Sequence, residues 1–209
     1  MIHNQEIKAI VLDLGNVLID FDHMIASQRL SHFCSASQKE IYDLFFDSPL
    51  TCLFEEGKIS PQDFFLEVKK ILALKLDYSE FLPIWNEIFF LTPKNEAVYR
   101  LAKDLKNRYT LCLASNINIL HFEYLKENFS IFDVFHKFFL SYEVGLRKPA
   151  PLFYQTILKE LSLPKEAFFY TDDRQELIEA AQNLGIKSVV FQGIEKLKEE
   201  LSCAGVTWN

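Results

Sequence analysis

Apolar positions along the chain follow two different rhythms. Ala9 to Leu12 is an unbroken apolar run with β-branched residues, the pattern of a strand covered on both faces. Similar runs return at 109–114, in a more amphipathic form at 137–144, and at 167–171 and 188–191. Between them apolar residues recur at helical spacing. Thr92-Pro93 opens a helix with Ala97, Val98, Leu101, Ala102 and Leu105 on one side. Further helices are expected from Asn116 to about Phe129, from Pro151 onward, up to Leu184 before Gly185, and in a last segment ending near Gly205. Strands alternating with helices predict an α/β fold with a parallel sheet and right-handed crossovers.

Residues 21–90 break this alternation. Ser37 and Glu40 form a capping box, and Ser60-Pro61 starts a second helix whose Phe64, Phe65, Val68, Ile71 and Leu72 share one side. A third helix is expected over about 79–90, interrupted or begun at Pro83, and Gly57 marks a turn. The segment reads as a small helical bundle inserted after the first strand. Most of its many aromatic residues are expected to pack that bundle. Phe54, near the Gly57 turn, and Trp85 are candidates for a pocket wall.

With 209 residues, 49% of them apolar, the chain can bury a substantial core. A net charge of -7 argues against nucleic acid as a partner. Four scattered cysteines with no C-x-x-C pair read as buried free thiols, not a disulfide frame or a zinc site. The start of the chain lacks a basic lead before its short apolar run, and no stretch is long enough for a membrane span. A cytoplasmic protein with no membrane partner is the expectation.

Polar residues then gather at the strand ends. Asp13, Ser115 with Asn116, Lys148, and Asp172 with Asp173 each follow an apolar strand or open a helix. Individually they could be helix caps or solvated charges. Together, on one sheet edge, they would supply a nucleophilic carboxylate, hydroxyl and amide donors, a cation and metal-binding carboxylates. That inventory suits phosphoryl transfer.

The order and spacing of these groups resemble the haloacid dehalogenase-like hydrolase superfamily over essentially the full length. Asp13-Leu14-Gly15-Asn16-Val17 matches its first motif, Ser115 its second, Lys148-Pro149 its third and Thr171-Asp172-Asp173 its fourth. Asp13-Leu14-Gly15-Asn16-Val17 followed by Asp20-Phe21-Asp22 is most similar to a bacterial branch that includes α-glucose-1-phosphate phosphatases. The resemblance implies a Rossmann-like core at 1–20 and 91–209 and a helical cap of the first type at 21–90. It also implies an aspartyl-phosphate formed on Asp13, with Ser115 holding phosphate oxygens and Lys148 neutralising charge. Mg²⁺ would be held by Asp13, the Gly15 carbonyl and Asp172 directly, with Asp173 at the metal acting through its waters or orienting Lys148, and Asn16 and Asn116 would border the substrate, a small phosphorylated metabolite.

One departure from the family pattern is chemical. Most phosphatases of the superfamily carry a second Asp two residues after the nucleophile, acting as general acid and base; here that position is Gly15. Such catalysis is worth roughly 10²–10⁴-fold. Its absence favours leaving groups that need less help, such as the anomeric oxygen of a sugar 1-phosphate. Asp20, Asp22 or His23 could supply a proton instead, although His23 is expected to be a solvated hinge residue. Two alternatives follow from Gly15: a non-catalytic member that binds a phosphometabolite or protein, and a 2-haloacid dehalogenase, against which the Asp172-Asp173 pair argues.

Overall fold

A computed structural model describes residues 6–208. In chain order it contains β1 (Ala9–Leu12), β2 (Asp20–Phe21), α1 (His23–Leu30), α2 (Gln38–Asp47), α3 (Pro49–Glu55), α4 (Pro61–Leu72), α5 (Tyr78–Asn86), β3 (Phe89–Phe90) and α6 (Pro93–Leu105). It continues through β4 (Thr110–Ser115), α7 (Ile119–Asn128), β5 (Lys137–Leu140), α8 (Ser141–Val144), α9 (Pro151–Leu161), β6 (Phe168–Asp172), α10 (Gln175–Asn183), β7 (Lys187–Val190) and α11 (Ile194–Cys203).

All four residues of β1 are buried because the strand is central in a parallel sheet of order β5-β4-β1-β6-β7. Alternate residues feed two separate cores, as the period of a strand requires. Ile10 and Leu12 join the Leu101 and Leu125 side of the molecule, while Ala9 and Val11 face Phe153, Tyr154 and Ile178. The α/β expectation, with a first strand covered on both faces, is met.

Helices α1 to α5 gather around a third apolar cluster that includes Phe45, Phe54, Phe64, Phe81 and Trp85. The chain leaves and re-enters the sheet region through an antiparallel pair, β2 with β3, in which Asp20 faces Phe90 and Phe21 faces Phe89. Asn95 Nδ2 fixes this junction by donating to Val17 O at 3.1 Å and to Asp20 Oδ1 at 3.0 Å. Lys94 pairs with Asp20 at 2.7 Å.

Several sequence expectations need correction. The run at 137–144 is a strand only to Leu140. There Ser141 Oγ accepts the Ile117 N–H at 2.9 Å and donates to Ile117 O at 3.1 Å, which turns the chain into α8. The helix expected at 79–90 starts at Tyr78, capped by Asp77 and Glu80, passes through Pro83 and ends at Asn86, leaving Phe89 and Phe90 to pair with β2. Ile71 projects outward, unlike its neighbours Val68 and Leu72. Helices α1 and α3 escape the periodicity because they are only eight and seven residues long, and α1 has few apolar residues. None of the four cysteines forms a disulfide, yet Cys203 is exposed and only Cys112 is fully buried. Among the described residues no helix is long and apolar enough to cross a membrane.

Candidate active site

The carboxyl ends of β1, β4 and β6 lie side by side, the position at which open α/β sheets bind ligands. Asp13 leaves β1 there, with its N–H still bonded to Thr171 O at 3.0 Å. Asp172 ends β6 and Ser115 ends β4. Lys148 arrives from the loop between α8 and α9 and is buried. Its Nζ donates to Asp13 Oδ1 and Asp172 Oδ2, both at 2.6 Å, and to Ala114 O at 2.8 Å. A lysine buried this deeply needs such partners. The two carboxylates raise its pKa above the usual lysine range despite burial.

Asn116 fixes that lysine from behind. Its Nδ2 donates to Lys148 O and its Oδ1 accepts the Lys148 N–H, both at 2.8 Å. Asn116 also lines the cavity described below, with its amide committed to the Lys148 backbone. Asn16 sits at φ 56, a left-handed conformation that asparagine tolerates, and its Nδ2 donates to Asp173 Oδ2 at 2.9 Å. Asp172 is held by the Tyr170 hydroxyl on Oδ2 and by the Arg174 N–H on Oδ1 at 3.1 Å. Tyr170 is absent from the sequence expectations. Its signal was available, since residues two apart on a strand share a face.

Three carboxylates, Asp13, Asp172 and Asp173, bring an oxygen each within 4.8 Å of one another. Burial and the Asp172 charge push Asp13 up to about 7, against the pull of Lys148. Burial also raises Asp173, aided by Asp172. Burial pushes Asp172 up, but Lys148 together with the Tyr170 and Arg174 hydrogen bonds holds it below its usual value. This crowding of hard oxygen donors, short of positive charge, fits Mg²⁺, which favours a few carboxylates completed by water and phosphate.

A cavity of about 330 Å³ opens on these groups, and Gly15, Asn16, Ser115, Lys148 and Arg174 also line it. Its opposite wall comes from the helical insertion and the junction: Phe21, His23, Phe45, Phe46, Trp85 and Phe89. Trp85 borders the cavity but is fully buried. Phe54 does not; it is stacked face to face on Phe64, with centroids 4.3 Å apart, inside the bundle. His23 is no solvated hinge residue. Its Nδ1 is buried without a hydrogen-bond partner, and burial lowers its pKa to about 4. Asp20 and Asp22 do not reach the cavity wall. Asp20 is tied to Asn95 and Lys94, and Asp22 caps α1 through the Met24 N–H.

Also on the cavity wall, His121 joins the two halves. Its Nε2 lies 3.0 Å from Trp85 O, its Nδ1 lies 3.1 Å from Asn118 Nδ2, and its ring stacks on Trp85 at 4.5 Å. The amide contact makes Nδ1 the acceptor and Nε2 the donor to the carbonyl. Further out, Arg147 pairs with Glu55 of α3 at 2.7 Å and donates to Cys52 Sγ at 2.6 Å. Gly15 has a steric reason for lacking a side chain: a Cβ there would meet Phe21 Cε1 at 2.7 Å.

Comparison with known proteins agrees with this geometry. A family model for haloacid dehalogenase-like hydrolases matches residues 7–185. The chain is 25% identical over 202 residues to a D-ribitol-5-phosphate phosphatase of Bacteroides thetaiotaomicron, covering 94% of this chain and 97% of that protein. It is 26% identical over 198 residues to the drimenol cyclase drtB of Aspergillus calidoustus, covering 94% of this chain but spanning only 36% of the cyclase. A HAD family enzyme of B. thetaiotaomicron, solved in complex with magnesium and inorganic phosphate, superposes with a TM-score of 0.77 at 25% identity, over 88% of this chain and 93% of that one.

Proposed function

The chain belongs to the haloacid dehalogenase-like hydrolase family, and from that premise we propose a Mg²⁺-dependent phosphatase of small phosphorylated metabolites. Residues 1–20 and 91–209 are its catalytic core and 21–90 its cap. The observation that carries this reading is the buried Asp13–Lys148–Asp172 array, with Asp173 beside it, at the mouth of the cavity.

In this reading one Asp13 oxygen attacks phosphorus, the bond from phosphorus to the leaving oxygen breaks, and an aspartyl-phosphate forms. Water then cleaves that acyl-phosphate, releasing phosphate and restoring Asp13. Lys148 holds Asp13 in place and offsets negative charge as it develops. Ser115, at the end of β4, donates to phosphate oxygens. Asp13, the Gly15 carbonyl, Asp172 and Asp173 hold Mg²⁺, which supplies charge neutralisation for the phosphoryl group. Asn16 keeps Asp173 aimed at the site.

The leaving oxygen receives no proton from position 15, because Phe21 occupies the space an acidic side chain would need. His23, neutral near pH 7, is a poor acid. The enzyme therefore favours alcohols that leave as relatively stable anions, among them the anomeric oxygen of a sugar 1-phosphate.

Asp13→Asn tests the assignment. The variant is expected to fold and to lose at least about 10³-fold in turnover of p-nitrophenyl phosphate, because an amide cannot form the acyl-phosphate. Wild-type turnover should stop on chelation of Mg²⁺ and return on its addition. An active Asp13→Asn protein would sink the reading.

A further inference from the structure

Tyr170 is buried in β6, two residues before Asp172 and on the same face of the strand. Its ring meets that of Tyr154 edge-on, with centroids 5.8 Å apart, and the Tyr154 hydroxyl is fixed on Leu177 O at 2.9 Å. The Tyr170 hydroxyl donates to Asp172 Oδ2, the oxygen that also accepts Lys148 Nζ at 2.6 Å. Lys148 is not free to turn away, because its ammonium also donates to Asp13 Oδ1 and Ala114 O. Asp172 Oδ1 takes the Arg174 N–H at 3.1 Å. A carboxylate has about four accepting positions, shared between its two oxygens. Among the described residues the positions on Oδ2 are therefore filled, while Oδ1 keeps room for one more ligand. Asp13 and Asp173 are looser, each with one side-chain donor: Lys148 on Asp13 Oδ1 and Asn16 on Asp173 Oδ2.

We propose that Tyr170 is a positioning residue that makes the metal centre selective for Mg²⁺ over Ca²⁺, by closing Oδ2 so that Asp172 offers a cation a single oxygen. This inference rests on the Mg²⁺ reading above and concerns how the same site chooses its ion. Mg²⁺ demands a near-ideal octahedron at about 2.0–2.1 Å and uses one or two carboxylates completed by water and phosphate. Ca²⁺ gathers about six to eight oxygens at about 2.3–2.6 Å and readily takes both oxygens of one carboxylate. A carboxylate with one oxygen closed suits the first ion and denies the second a ligand.

The phenol is the one of these donors that a substitution removes without touching a charge. Lys148 also holds Asp13, and the Arg174 donor is a backbone N–H that no side-chain change deletes. Tyr170→Phe keeps the ring and its packing against Tyr154 and removes only the hydroxyl. Losing a donor changes the charge on Asp172, which both ions feel alike. Reopening a position on Oδ2 helps only the ion that uses a second oxygen. The ratio of the two affinities therefore reports the proposed role, whereas a general loosening of the strand end would weaken both ions together.

Metal-free wild type and Tyr170→Phe are each titrated with Mg²⁺ alone and with Ca²⁺ alone by calorimetry, with thermal melting as the check on folding. The ratio of Mg²⁺ to Ca²⁺ affinity should fall about tenfold in the variant, the lower end of what hydrogen bonds to a metal-binding side chain are worth. A ratio that stays the same or rises overturns the inference, whether or not both ions bind more weakly. A wild type that binds neither ion overturns the Mg²⁺ reading and this inference with it, an outcome distinct from an unchanged ratio in a protein that binds both. If Tyr170→Phe fails to fold, a crystal structure of the Mg²⁺-loaded wild type decides. Asp172 bound through Oδ1 alone, at about 2.0–2.1 Å, with the Tyr170 hydroxyl still on Oδ2, supports the inference. An ion bound through Oδ2, or through both oxygens of Asp172, overturns it.

Discussion

The two walls of the cavity are built on opposite principles. On the sheet side the charged groups are committed: Lys148 to two carboxylates, Asp173 to Asn16, Asp172 to Tyr170 and Arg174. On the insertion side the surface is mostly aromatic, and the charged Glu55 there is paired with Arg147. Charges at strand ends are placed by backbone geometry and hold one another rigidly, as transition-state stabilisation requires. Aromatic residues on short helices present shape and a few hydrogen-bonding atoms, as selection among leaving groups requires.

The contrast breaks most visibly at the ion pairs. Lys148→Met strands two buried carboxylates, so a loss of about 3–5 kcal/mol is expected in urea unfolding, with near-complete loss of turnover. Glu55→Gln, which weakens the less buried pair to Arg147, should cost less, about 1–3 kcal/mol, the penalty of an imperfectly paired buried group. Equal costs would mean that the two pairs are not different in kind.

Position 15 sharpens the comparison, because there an aromatic ring of the junction intrudes on the chemistry. Gly15→Asp alone is expected to gain nothing, since its Cβ meets Phe21. Gly15→Asp with Phe21→Ser opens the space and should gain about tenfold on simple alkyl phosphates, within the usual worth of a general acid. p-Nitrophenyl phosphate, whose leaving group needs no proton, should gain little. A uniform change across leaving groups would mean that proton transfer is not what Gly15 lacks.

The smallest effect concerns Phe54. Phe54→Leu should lower stability by about 1 kcal/mol through poorer stacking on Phe64, without altering the order of preferred substrates. A shifted preference would return Phe54 to the cavity wall.

These differences also explain what could be read from the sequence. Asp13, Ser115, Lys148, Asp172 and Asp173 were legible because each sits at a fixed place relative to an apolar strand, and a parallel sheet brings those ends together whatever the loops do. Tyr170 was legible in principle by its two-residue offset from Asp172. The insertion was not. Which face of α1 carries His23, and whether Phe54 or Phe46 meets the cavity, depends on how five short helices pack, and local periodicity does not encode that. The committed amide of Asn116 was hidden for a related reason, since its partner Lys148 is 32 positions away.

The most direct measurement is chemical trapping of the acyl-phosphate. Wild-type protein turning over p-nitrophenyl phosphate with Mg²⁺ is quenched with borohydride, which reduces an aspartyl-phosphate to homoserine, and peptides are read by mass spectrometry. Homoserine at position 13, present only with both substrate and Mg²⁺ and missing in Asp13→Asn, is the predicted result. An unmodified Asp13 under turnover, or homoserine at Asp172 or Asp173 instead, would contradict the assignment of the sheet edge as the seat of the chemistry.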